Sequence, residues 1–199
     1  MKRIPTKKKI VALTFDDGPN EPYTSQLLAI LKAEGIRSTF FLVGENAQKY
    51  PDVVRRIFAD GHVIGNHSTH HQFRYYFFQP SFEKEIQTTQ NILTEITGVT
   101  PRFFRAPWLF RTPWLLRTVK KNNLQPVWGV FGSELEIVLK KPEAIFRRAL
   151  AKLRPGTIFI FHDGYNNKGA SRETTIEAVR LLIPELKKRG YEFVTMEEV

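Results

Sequence analysis

The chain has 199 residues, 42% of them hydrophobic, a net charge of +10 and no cysteine. That length bounds it to one domain of fair size, or at most two small ones, with a core that needs no staples, and the lack of Cys excludes disulfides, thiolate metal sites and a thiol nucleophile. The positive balance admits an anionic partner, but most of the basic clusters at 7–9, 140–141, 147–148 and 187–189 fall on expected helices or at the terminus, where a solvated face accounts for them, and no nucleic-acid-binding signature is present.

The basic start, 1–9, is not followed by an apolar segment of signal-peptide length. A cytoplasmic address is therefore expected, or an extracellular or wall-associated one if a leader has been removed. No stretch approaches membrane-spanning length, and a monomer is expected. Residues 9–15 read as a strand, and 23–33 as a helix ended by Glu34-Gly35. A strand at 38–43 precedes a helix at 51–59 with Pro at its first position and Gly61 beyond it. A short strand, 63–66, leads to a long helix, 81–97, with Ser81 as its N-cap and Gly98 as its stop. Then follow a strand at 103–105, a helix at 113–122, a strand at 125–130, a helix at 142–153, an apolar strand at 157–162, a helix at 172–188 and a strand at 191–195. These make about seven β/α pairs, which predicts a parallel sheet covered by helices, open or closed into a barrel. The unbroken apolar run Ile158-Phe159-Ile160-Phe161 fits a sheet buried on both faces.

In such folds reactive groups gather at the C-terminal ends of the strands. Asp16 and Asp17 end the first strand, His67 and His71 follow the third, Arg105 ends the fourth, and His162 and Asp163 end the strand from 157. Adjacent carboxylates raise each other's pKa unless a cation intervenes, although Asp-Asp-Gly also suits an ordinary turn. His67 and His71, at i and i+4, share one side of a helical turn and could chelate one ion. Spacing alone leaves a structural pair equally open. With one carboxylate they form a His2Asp set that keeps positions free for water and substrate. The set suits zinc but admits cobalt, nickel, manganese or ferrous iron. His62 and His70 are expected in the core, at the surface or behind the ligands. Arg105 beside Asp16 would hold that acid ionised, or form a plain structural ion pair. His162 is either a neutral core histidine or a general acid.

Taken together, Thr14-Phe15-Asp16-Asp17-Gly18-Pro19, His67-Ser68-Thr69-His70-His71, Arg105-Ala106-Pro107-Trp108 and Ile160-Phe161-His162-Asp163-Gly164 resemble, in order and spacing, the motifs of polysaccharide deacetylases, carbohydrate esterase family four. The resemblance also takes in 35–44 and 190–195, nearly the whole chain. It implies an α/β fold, a distorted (β/α) barrel of about seven parallel strands, and metal-dependent removal of N-acetyl groups from peptidoglycan-like or chitin-like glycans. By position, Asp17, His67 and His71 would hold the ion, Asp16 would be the base, Arg105 its tether and His162 the acid.

The chain departs from the family in one place. Family members carry an Asp-Trp pair after the strand at 125–130, and the Asp orients the acid histidine; here Glu134 stands for the Asp and Leu135 for the Trp. Trp108 stands where the family often has Tyr. Pro107, Trp108, Glu134 and Leu135 are expected to contribute to the sugar site. The aromatic run Phe73-Arg74-Tyr75-Tyr76-Phe77-Phe78 either stacks on sugar faces or packs beneath the rim. Competing readings are an O-acetyl esterase acting on xylan-type glycans and a catalytically weak glycan-binding homologue.

Overall fold

The structure, a computed structural model, describes residues 3–134, 136, 138–165 and 170–199. Its scaffold starts with β1 (Ile10–Asp16), α1 (Tyr23–Ala33), β2 (Thr39–Leu42), α2 (Gly44–Lys49), α3 (Pro51–Ala59) and β3 (Val63–Asn66). It continues with α4 (Gln79–Thr97), β4 (Phe103–Phe104), α5 (Pro113–Lys121), β5 (Gln125–Pro126) and β6 (Val130–Phe131). It ends with α6 (Pro142–Lys152), β7 (Thr157–His162), α7 (Glu173–Lys188) and β8 (Glu192–Phe193). The strands run in the order β5-β4-β3-β2-β1-β7-β6, every neighbouring pair parallel, and curl into a half-barrel. β8 pairs with Ile10 and Val11, the part of β1 that β2 does not reach.

Alternation along β1 explains how one strand serves two layers. Val11, Leu13 and Phe15 join Leu27 and Leu31 of α1 and Val179 and Leu182 of α7 in the main core. Ala12 faces the other way, with Phe41, Phe103, Val127 and Ile158 inside the curl. Thr14 and Asp16 share that inward face, so the same pleat that builds the core aims a hydroxyl and a carboxylate into the barrel. No helix among the described residues is long and apolar enough to cross a membrane.

Three elements differ from expectation. The strand expected over 125–130 is two fragments: β5 pairs with β4 and β6 with β7. Pro126 has no N–H to extend a ladder, and the chain then crosses to β7, where a Cβ at Gly129 would meet the Ile158 carbonyl oxygen at 2.7 Å. The long helix begins at Gln79 with Pro80 in its first turn, so Ser81 lies inside it and is not its cap. The short α2 has too few residues for a legible apolar period.

Candidate active site

Four strand ends meet on one rim, around a cavity of about 310 Å3 lined by Asp16, Asp17, His67, His71, Trp108 and His162, among others. Asp16 ends β1 in register with His162 of β7. Its Oδ1 accepts from Arg105 Nη1 at 2.6 Å, and the same nitrogen donates to Thr14 Oγ1 at 2.7 Å. Arg105 is fully buried, its guanidinium 4.1 Å from the centre of the Phe41 ring. Burial pulls its pKa down, and the Asp16 carboxylate opposes that loss. A charge placed so deep needs both partners, and it fixes Asp16 in return.

Consecutive strand residues point to opposite faces, yet Asp16 and Asp17 both line the cavity. The backbone resolves this: Asp17 takes φ 72°, which turns its side chain back toward the rim. Strain of this kind surrounds the site. Among the described residues, six non-glycine positions have left-handed φ, and Asp17, Ser68, His71, Trp108 and Leu109 are five of them.

Asp17 Oδ1 lies 3.2 Å from His67 Nε2 and 3.2 Å from His71 Nε2. All three side chains are buried, and their donor atoms lie within 4.8 Å of one another. The histidines do not sit on a helical turn as their i, i+4 spacing predicts. Ser68 and His71 are left-handed, and Asn66 Oδ1 caps the loop by accepting from the Ser68 N–H at 2.9 Å. His67 Nδ1 lies 2.7 Å from the Arg105 carbonyl oxygen, an acceptor only, so this nitrogen carries the proton and the Nε2 lone pair faces Asp17. Burial holds His71 neutral, its pKa lowered to about 4 despite the Asp17 charge. Burial pushes Asp17 up, but the surrounding imidazoles of His67, His71 and His162 outweigh it and hold its carboxyl below the usual range. Lone pairs of two imidazoles and one carboxylate thus converge on one point, the donor set of a divalent cation with open coordination positions.

Across the cavity, Glu136 Oε2 faces His162 Nδ1 at 3.1 Å. Its Oε1 accepts from the His162 backbone N–H at 2.9 Å and from Thr175 Oγ1 at 2.8 Å. Burial opposes the His162 charge, but Glu136 outweighs it, with smaller help from Asp17 and Asp16, and raises the imidazole to about 9. Phe131 stacks on the His162 ring, centroids 6.0 Å apart.

The expectation for Glu134 is therefore corrected. Glu134 lines the outer cavity, but its carboxylate is exposed and pairs with Lys152 at 2.6 Å, while Glu136 takes the place beside His162. Two loop carboxylates two residues apart give no sequence signal that chooses between them. Leu135 lies outside the described residues. Pro107 is buried at the start of a 3-10 turn and is not among the residues lining the cavity; Trp108 lines it, 4.6 Å from His71 between ring centres. His70 lies between Glu85 at 2.6 Å and Glu45 at 3.3 Å, and His62 accepts from the Ser38 N–H at 3.1 Å. Asp163 accepts from Thr24 Oγ1 at 2.5 Å instead of reaching His162.

A family model described as polysaccharide deacetylase matches residues 3–127. The chain belongs to the polysaccharide deacetylase family. A peptidoglycan-N-acetylglucosamine deacetylase of Bacillus cereus is 34% identical over 193 residues, covering 96% of this chain and 68% of the relative. The crystal structure of the Bc1960 peptidoglycan N-acetylglucosamine deacetylase superposes with a TM-score of 0.90 at 32% identity, covering 99% of this chain and 90% of that one. An acetyl xylan esterase from Clostridium thermocellum, solved with a cobalt ion, superposes with a TM-score of 0.86 at 34% identity, covering 96% and 89%. Within this family the chain keeps the curled parallel sheet and carries the carboxylate beside His162 as Glu136, where the sequence resemblance points to Glu134.

Proposed function

We propose that this chain hydrolyses the acetamido group of N-acetylglucosamine units in a glycan, peptidoglycan or a chitin-like chain, with a divalent cation held by Asp17, His67 and His71. The observation that carries the reading is the approach of one buried carboxylate oxygen to two imidazole nitrogens at 3.2 Å each, next to a second carboxylate with a tether of its own. Zinc is the cation of first choice for this donor set, with cobalt, nickel and manganese as substitutes. The site draws on residues from Thr14 to Thr175, so we take the chain as one catalytic unit.

When bound, the cation supplies a water of lowered pKa and polarisation of the acyl oxygen. Asp16, held by Arg105, takes the proton of the attacking water. His162 stays protonated to about pH 9, and Glu136 occupies its Nδ1, so its Nε2 proton is the one available to the departing amine. The C–N bond breaks, the glycan keeps the amine and acetate leaves. Glu136 and Thr175 position the imidazole without touching substrate.

The test is acetate release from N-acetylglucosamine oligomers, with chelation, cation add-back and the Asp16→Asn variant. Activity that survives chelation, or a fully active Asp16→Asn, removes the reading. The similarity to an acetyl xylan esterase favours one alternative, an O-acetyl ester as substrate. An alkoxide leaving group needs less help from His162, so parallel assays on acetylated xylan with a His162→Ala variant separate the two.

A further inference from the structure

The rim continues past Trp108 into aromatic side chains that the proposed reaction does not use. Residues Phe73–Tyr76 form a 3-10 turn soon after His71. Phe73 and Tyr76 meet Trp108 edge-on, at 5.4 and 6.0 Å between ring centres, and Phe77 meets Phe73 at 5.1 Å. Tyr76 is buried beneath the rim, which settles one half of the question the sequence leaves open. The others face solvent: Trp108 is 48% exposed, Phe73 46%, Phe77 64% and Phe78 68%. Trp108 is held at φ 54°, ψ 17°, a conformation that a bulky residue adopts only when its surroundings enforce it. A run of exposed rings on one rim marks a surface that something covers.

What covers it follows from its continuity with the cavity. Phe73 touches Trp108, and Trp108 both lines the cavity and packs on His71. A volume of about 310 Å3 is at the small end of ligand sites. It has room for a sugar unit, not for a polymer, so the rest of a bound glycan must run over the surface. Aromatic rings present an electron-rich face, which complements the apolar C–H face of a pyranose. Residues 72–82 contain no acidic side chain that would repel an anionic glycan.

We propose that Phe73 and Phe77 extend the cleft beyond Trp108 as a stacking shelf for sugar units of an N-acetylated glycan that lie outside the cavity. This rests on the reading that the cavity takes an N-acetylglucosamine unit. The shelf makes the protein selective for long chains over short ones.

The test compares the hexamer and the dimer of N-acetylglucosamine, by titration calorimetry and by acetate release, on zinc-supplemented protein. Wild type binds the hexamer more tightly than the dimer. Phe73→Ser/Phe77→Ser weakens hexamer binding about tenfold, two lost stacking contacts' worth, with a smaller loss for the dimer, and raises KM for the hexamer more than it lowers kcat. Phe58→Ser, which removes an exposed ring on α3, reproduces none of this. The proposal is overturned if wild type binds both lengths alike, or if the double variant keeps full hexamer affinity. If the double variant instead loses binding to anionic lipid vesicles, or dissolves a dimer of the protein while hexamer affinity holds, the shelf belongs to a membrane or to a second copy. If no oligomer releases acetate while hexamer binding still depends on the shelf, the deacetylase reading fails and the shelf stands.

Discussion

The two sides of the cleft are built differently. On one side, Asp16, Arg105 and His67 stand at or just beyond strands β1, β4 and β3, and every link between them is buried. On the other, Glu136 comes from the segment after the two-residue β6, held by two contacts to His162, one to its backbone N–H and one to its ring, and by one to Thr175. A ladder fixes which residue points where; a loop does not. The side with Asp16, Arg105 and His67 can therefore be read from strand ends, whereas the partner of His162 is decided by how the loop folds. The first side leaves no choice of partner, whereas on the second the carboxylate that faces His162 is Glu136 and not Glu134.

The comparison breaks first on the rigid side. Asp17→Asn removes the charge that unites the two imidazoles, so cation binding by titration calorimetry and acetate release should both fall to background. Asp16→Asn should lower kcat by about 10^2- to 10^4-fold, the usual scale of a lost general base, with cation binding retained. On the loop side, Glu136→Gln should let the His162 pKa fall from about 9 toward its ordinary 6.5. At pH 8 that shift alone lowers the protonated fraction roughly thirtyfold, and the alkaline limb of the rate profile should move down with it.

Stability responds to the same pair. The folded state holds the His162 proton above the unfolded value of 6.5, so the contribution is fully present below that pH and is lost as pH rises through about 9. Thermal melts of wild type and Glu136→Gln should differ by about 3 kcal/mol near pH 6 and converge by pH 10. The smallest effect belongs to Glu134→Gln. It removes an exposed ion pair with Lys152, worth about 0–1 kcal/mol, and should leave the alkaline limb in place. A limb displaced by Glu134→Gln and not by Glu136→Gln would return the partner's role to Glu134.

The sequence by itself determined the alternation of strands and helices, the parallel sheet, and the placing of Asp16, Asp17, His67, Arg105 and His162 at one rim. Each of these follows from local patterning, because a strand of period two and its breaking residues mark its own end. It also brought together Asp17, His67 and His71, the candidate ligand trio, though for a partly mistaken reason: His67 and His71 converge through left-handed loop residues, not through a helical turn. Only the tertiary structure decided the break at Pro126, the choice of Glu136, and the exposure of Phe73 and Phe77 above a buried Tyr76. These depend on groups far apart in the chain competing for the same space and the same hydrogen bonds, and that competition leaves no periodic mark in the order of the residues.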